Sequence, residues 1–178
     1  MIVHVEGDLL EAKVDVIVQQ CNTKTRKAHG LSASIAKRYP YADVYRTRSG
    51  KTSNTADVTT KIGSVVMCRP RTECNETGPV VACLMAQLAP GKPGAYSSIY
   101  CIDAADDSKQ KRIAYFQLAL DELASLVRDS DGAIRTVAFP YGIGCGLAGG
   151  DWKVYATMIE TFARTAPSVS VSIYKLKD

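Results

Sequence analysis

Apolar residues change their spacing several times along the chain, and each change marks a predicted element. Residues 2–5 are apolar-rich and read as a first strand, stopped by Gly7-Asp8. Residues 14–18 are nearly all apolar, the pattern of a strand covered on both faces. A polar stretch, 19–30, then reads as a loop. Leu31, Ile35 and Tyr39 follow at helical spacing, and Pro40 closes that helix. Residues 41–61 are polar and irregular, the composition of an exposed segment. Two strands are predicted at 62–67 and 80–85, and the Pro-Gly pairs of 90–100 predict a loop. In 108–127, Ile113, Phe116, Leu120, Leu123 and Val127 recur every three or four residues and define the clearest helix, with Gly132 beyond its end. A strand at 136–139 precedes a helix capped by Asp151, with Tyr155, Met158, Ile159 and Phe162 on one face. Residues 169–173 alternate apolar and polar, as a half-buried edge strand does. About six strands intermixed with three or more helices make a single α/β domain, a parallel or mixed sheet with helices on both faces.

At 178 residues the chain is one domain of ordinary size, able to bury a core. Hydrophobic residues at 46% and charged residues at 22% exclude a disordered or fibrous chain. No apolar run approaches the ~20 residues of a membrane span, and the N-terminus reads as a strand rather than a signal peptide. The expectation is an intracellular protein, cytoplasmic or nuclear, and a monomer. The six cysteines include no C-x-x-C pair and the chain has two histidines, so neither a zinc site nor any other metal is expected, and the thiols are read as reduced. No cofactor is expected.

The net charge is +4, but the basic residues cluster. Lys24, Arg26, Lys27, Lys37, Arg38, Arg46, Arg48 and Lys51 share one stretch with a single acid, Asp43. Such a stretch is either a solvated face or the mouth of a site for a phosphate-bearing ligand. Nucleic acid is the weaker partner, because few aromatics are interleaved with the charges.

The carboxyl ends of the strands are where such a sheet binds ligands, so the loops after residues 5, 18 and 139 are the ones to read. Ser49-Gly50-Lys51-Thr52 ends like a P-loop, but Tyr45 stands where its first glycine belongs. Gly144-Cys145-Gly146-Leu147-Ala148-Gly149 fits a dinucleotide fingerprint, yet too little chain follows for a second nucleotide-binding half, and the acid left to hold a ribose is Asp178. The physics of the loop stands without that label. Glycines at 142, 144, 146, 149 and 150 let backbone approach a ligand closely, and a helix start offers N–H donors to a diphosphate. Asp8 either caps a turn or accepts from an exocyclic amine. Asn22 either satisfies backbone or grips a ribose hydroxyl. His29, beside Gly30, is either structural or a group that moves protons near neutral pH.

Taken in order, these pieces resemble the macro domain family. Gly7-Asp8-Leu9-Leu10 is similar to its early G-D-[IL] motif, and Val16-Ile17-Val18-Gln19-Gln20-Cys21-Asn22 to its second strand and following asparagine. Residues 30–40 resemble its first helix, 81–87 its central strand, and 171–176 its closing strand. Pro140-Tyr141-Gly142-Ile143-Gly144-Cys145-Gly146-Leu147 with Trp152 is similar to its second ligand loop, and most like the branch of terminal ADP-ribose protein glycohydrolases. Those enzymes carry an Asp directly after G-C-G-L, where this chain has Ala148, and a lysine near the end of the central strand, where it has Met85-Ala86-Gln87. The resemblance implies a three-layer α/β/α fold with a six-stranded mixed sheet, and ADP-ribose or an ADP-ribosylated protein as partner. It implies Asp8 at the adenine, Leu9, Cys21, Asn22, Gly30 and Leu31 along one wall, and Gly142, Ile143, Gly144, Cys145, Gly146 and Leu147 around the diphosphate. Two functions follow: hydrolysis at the distal ribose with Asn22, His29 and Asp151 as the reacting groups, or a reader of ADP-ribose or poly(ADP-ribose) without chemistry.

Overall fold

The structure is a computed structural model and describes residues 2–50, 52, 54–56 and 60–177. Lys51 of the basic stretch and Asp178 lie outside the described residues. Six strands form one sheet: β1 (Ile2–Glu6), β2 (Val16–Asn22), β3 (Val65–Cys68), β4 (Val80–Gln87), β5 (Thr136–Pro140) and β6 (Ser170–Lys175). Their order is β1-β6-β5-β2-β4-β3, with every neighbouring pair parallel except β3 and β4. The sheet is therefore mixed, and β3 is its antiparallel edge.

Three helices cover it: α1 (Leu31–Arg38), α2 (Lys109–Arg128) and α3 (Trp152–Thr165). Under α1 lie Leu9, Ile17, Cys21, Val81, Cys83 and Met85, packed on Ile35, Tyr39 and Tyr45. On the opposite face α2 and α3 bring Phe116, Leu120, Leu123, Tyr155, Ile159 and Phe162 onto Val16, Val18, Leu84, Phe139, Val171 and Ile173. Phe139 meets Phe162 edge-on at 5.6 Å, and Phe116 tilts against Tyr155 at 4.7 Å. Each such side chain withdrawn from water contributes about 1.5–3 kcal/mol.

The caps follow the sequence. Ser108 Oγ accepts from Lys111 N–H, and Asp151 Oδ1 accepts from Lys153 N–H, at the starts of α2 and α3. Pro40 opens a short 3₁₀ turn as α1 ends at Arg38.

Three expectations need correction. Residues 19–22 are not loop: β2 runs on through Asn22, because Gln19 and Cys21 are as buried as the valines before them. Residues 41–61 are not simply exposed, since Ala42, Tyr45, Arg48 and Ala56 are buried, the first two in the core under α1. β6 is not an edge. It lies between β1 and β5, and its alternation arises because Val171 and Ile173 face α3 while the opposite face is only partly covered.

Candidate functional site

The carboxyl ends of β2, β4 and β5 open into a cavity of about 350 Å³. Its first wall follows β2 and its second follows β5. At the opposite pole of the sheet lies a second cavity of about 480 Å³ beside Asp15 and Arg69.

The first wall is built by side chains. Asn22 turns its Oδ1 back on the loop, where it accepts from Lys24 N–H at 3.1 Å, Thr25 N–H at 2.8 Å and Thr25 Oγ1 at 3.0 Å. Three donors on one oxygen fix the amide, so Nδ2 is the group Asn22 offers to the cavity it lines. Arg48, buried, donates Nη1 to Thr25 O at 2.8 Å and stacks over the Tyr45 ring at 4.5 Å. Arg26 in turn donates Nε to Arg48 O at 2.8 Å. His29 stands exposed on the rim, next to Gly30, whose φ of +56° turns the chain into α1.

The second wall is backbone. Pro140 ends β5, and Gly142, Gly144 and Gly149 hold φ of +70°, +73° and +69°, the left-handed region that glycine occupies without strain. The N–H groups of Ile143, Cys145, Gly149 and Gly150 bond carbonyls within this segment. Those of Gly142, Gly144, Gly146, Leu147 and Ala148 bond no acceptor among the described residues. Packing is tight at Gly144: a Cβ there would stand 2.6 Å from the Tyr155 ring and 2.7 Å from Gln20 Oε1. Leu147, 72% exposed, reaches back toward Gly30, so the two walls meet over the cavity.

The floor is a chain of amides. Gln87 Nε2 donates to Ala89 O at 2.9 Å, which leaves its Oε1 to accept from Gln20 Nε2 at 2.7 Å. Gln20 Oε1, at the end of the chain, is buried without a partner among the described residues. Tyr45 completes the floor. Burial, then the neighbouring Cys21, pushes its phenol well above the usual value, so it stays protonated. Burial, then Asp151, likewise pushes the Cys145 thiol up to about 11, which keeps it a weak donor to Ile143 O rather than a nucleophile.

Nine of the sequence-derived site residues line this cavity: Asn22, His29, Gly30, Leu31, Gly142, Ile143, Gly144, Gly146 and Leu147. Five lie elsewhere. Asp8 is exposed and caps the 3₁₀ turn Leu9–Glu11, its Oδ1 accepting from Leu10 N–H at 2.9 Å. Leu9 is core under α1. Cys21 is 1% exposed, with its thiol among Cys83, Tyr45 and Ser32. Cys145 stands behind the glycine wall, and the Asp151 carboxylate is spent on its helix cap.

The basic stretch is not a free cationic mouth. Arg48 is buried, Arg26 is tied to carbonyls and Arg38 pairs with Glu11 at 3.5 Å. The positive character facing the cavity comes instead from backbone N–H groups. Sequence reasoning passed over Gln20, Tyr45 and Gln87, although two glutamines inside otherwise apolar strands were a readable signal. Among the described residues no cluster of three His, Cys, Asp or Glu is placed to hold a metal ion, and no helix is long and apolar enough to cross a membrane.

A six-stranded mixed sheet with this strand order, one helix on one face and two on the other, is the macrodomain fold. Among solved structures the chain is similar to the macrodomain of Mycobacterium tuberculosis DarG, at 21% identity over 98% of this chain and 97% of that one, with a TM-score of 0.68. It is similar to the macrodomain of Thermus aquaticus DarG at 19% identity, over 98% of each chain, TM-score 0.65. A Trypanosoma brucei macrodomain in complex with ADP-ribose matches at 12% identity, over 98% of this chain and 63% of that one, TM-score 0.62. At such identities the likeness is one of fold. No protein-family model and no curated protein sequence matches the chain.

Proposed function

We propose that this protein binds ADP-ribose in the cavity between the two walls. One observation carries the reading: the N–H groups of Gly142, Gly144, Gly146, Leu147 and Ala148 have no acceptor among the described residues, and all five lie in the glycine-rich segment 142–150 that the sequence singled out. Clustered backbone donors suit a diphosphate, whose oxygens accept from N–H groups without a cationic side chain. The complex of ADP-ribose with a protein of the same fold supports the choice. In this reading the adenine amino group meets the exposed Asp8 carboxylate, and the distal ribose rests near Asn22 Nδ2 above the Gln20–Gln87 floor.

The finer reading is hydrolysis at the distal ribose, of an ester on protein, of O-acetyl-ADP-ribose or of ADP-ribose 1″-phosphate. Water adds its oxygen to the acyl or phosphoryl centre, and the bond from that centre to the ribose oxygen breaks. His29 takes the proton from the water and returns it to the departing ribose hydroxyl, while Asn22 Nδ2 orients the sugar. Asp151, committed to its cap outside the cavity, has no part in it. One observation favours the second reading, a module that binds and does no chemistry: no described residue lining the cavity is Asp, Glu or Lys.

Calorimetric titration with ADP-ribose tests the binding; heat no larger than dilution would end the proposal. Release of ADP-ribose from ester, acetyl and phosphate substrates, by wild type and by His29→Ala, then separates the two finer readings. Turnover lost in His29→Ala selects the hydrolase, and tight binding without turnover selects the reader.

A further inference from the structure

The guanidinium of Arg112 is 2% exposed on the inner side of α2, and its partner Asp107 is wholly buried. Arg112 Nε and Nη2 grip the two oxygens of Asp107 at 3.0 and 2.5 Å. A buried pair of this kind persists only where the remaining donors and acceptors are also matched, and here the matches fall on two segments that contribute residues to the cavity, the β4 exit and the glycine wall. Asp107 accepts from Leu88 N–H and Ala89 N–H, where the chain leaves β4. Arg112 Nη2 donates to Ala89 O at 3.2 Å. Its Nη1 donates to Gly91 O at 2.6 Å and also reaches Ala148 O at 3.4 Å. Gly91 and Ala148 both line the cavity, the first from the β4 exit and the second from the glycine wall. Nearby, the Lys92 side chain lies against Gly149.

We propose that Arg112, held by Asp107, is the positioning residue that joins the β4 exit to the glycine wall and so sets the spacing of the free N–H donors. Arg112 touches no ligand in this role. It acts through the carbonyls of Ala89, Gly91 and Ala148, and only a planar fork with donors on several nitrogens spans all three while keeping the carboxylate. Lysine retains the charge but cannot make the fork. The inference rests on the reading of the cavity as an ADP-ribose site, although its structural half stands without any ligand.

The test is Arg112→Lys in the full chain. Amide exchange of Gly149 and Gly150, whose N–H groups bond Gly146 O and Gly144 O, is expected to quicken by about tenfold or more, while that of Val18 and Ala82 in the central strands stays unchanged. The dissociation constant for ADP-ribose is expected to rise about tenfold. Unchanged exchange at Gly149 and Gly150 in a folded variant overturns the clamp, and so does quickened exchange with unchanged affinity. Exchange that quickens equally everywhere reveals a merely structural pair and also overturns it. A wild type that fails to bind ADP-ribose sinks the functional reading, while the exchange comparison still decides the clamp. Should Arg112→Lys not fold, the wild type supplies its own measurement: the Arg112 Nε–H resonance shifts on saturation with ADP-ribose, and an unmoved resonance in protein that binds overturns the proposal.

Discussion

The two walls of the cavity hold their shapes by opposite means. The wall after β2 is braced by side chains: Asn22 gathers three donors onto one oxygen, Arg48 holds Thr25 O and Arg26 holds Arg48 O. That scaffold takes up the N–H groups of residues 23–26, while those of residues 27–32, leading into α1, bond no acceptor among the described residues. The wall after β5 is braced by backbone conformation, with Gly142 and Gly144 at positive φ and Arg112 touching it from behind. Four of its N–H groups tie the turn together, and the five of Gly142, Gly144, Gly146, Leu147 and Ala148 bond no acceptor among the described residues. A site that needs free N–H groups must find another way to stay rigid than bonding them, and glycine turns backed by a buried ion pair supply it.

By that contrast, the largest effect comes from Gly144→Ala. The added methyl meets Tyr155 and Gln20 at a φ of +73°, so ADP-ribose affinity is expected to fall on the order of a hundredfold, equivalent to about 3 kcal/mol. Gly142→Ala sharpens the point. Its Cβ enters open space at a similar φ, so the cost is conformational alone, about 1–2 kcal/mol by denaturant unfolding. Equal effects of the two substitutions would show that close approach does not matter.

For the other wall, Asn22→Ala strips the acceptor from three donors and is expected to lower folding stability by about 1–3 kcal/mol in urea titration. Asn22→Asp keeps that oxygen and changes only Nδ2, so stability should largely return while ADP-ribose affinity does not. An equal loss of stability in both variants would break the assignment of Oδ1 to the scaffold.

The smallest effect on binding belongs to Asp15, at the opposite pole. Burial raises its carboxyl pKa, but N–H donors of Arg135 and Thr136 and the Thr136 hydroxyl outweigh that and hold it below the usual range. A depressed carboxyl stabilises the fold above its unfolded value near about pH 4, and that contribution fades as pH falls through the folded value. Asp15→Asn is therefore expected to flatten the acid limb of stability, followed by thermal unfolding from pH 7 downward, with ADP-ribose affinity unchanged at pH 7. An acid limb as steep as wild type would refute the linkage.

The element types were legible because each apolar period matches one way of meeting a core. The three-and-four spacing in α2 and the Asp151 cap of α3 needed no tertiary information. The Gly142–Gly150 segment was legible as well, since glycine at such density has few uses other than turning backbone toward something. Strand order was not legible, because hydrogen-bond partners are chosen across the whole chain; β6 alternates like an edge strand and yet lies inside the sheet. Nor was the use of each polar side chain. Asp151, Arg26 and Arg48 carry the charges that suggest a site, but the folded chain spends them on a cap and on carbonyls. Gln20 and Gln87 signalled themselves only as polar residues in apolar strands, and Asp107 and Arg112 gave little local signal, yet the four meet beneath the cavity from β2, β4, the segment before α2, and α2 itself. The amino-acid order by itself determined where the backbone can bend and which faces must be buried, since those depend on single residues and short periods. Which polar groups are consumed and which remain free was decided only by tertiary structure, because a hydrogen-bond partner dozens of residues away cannot be read from local pattern.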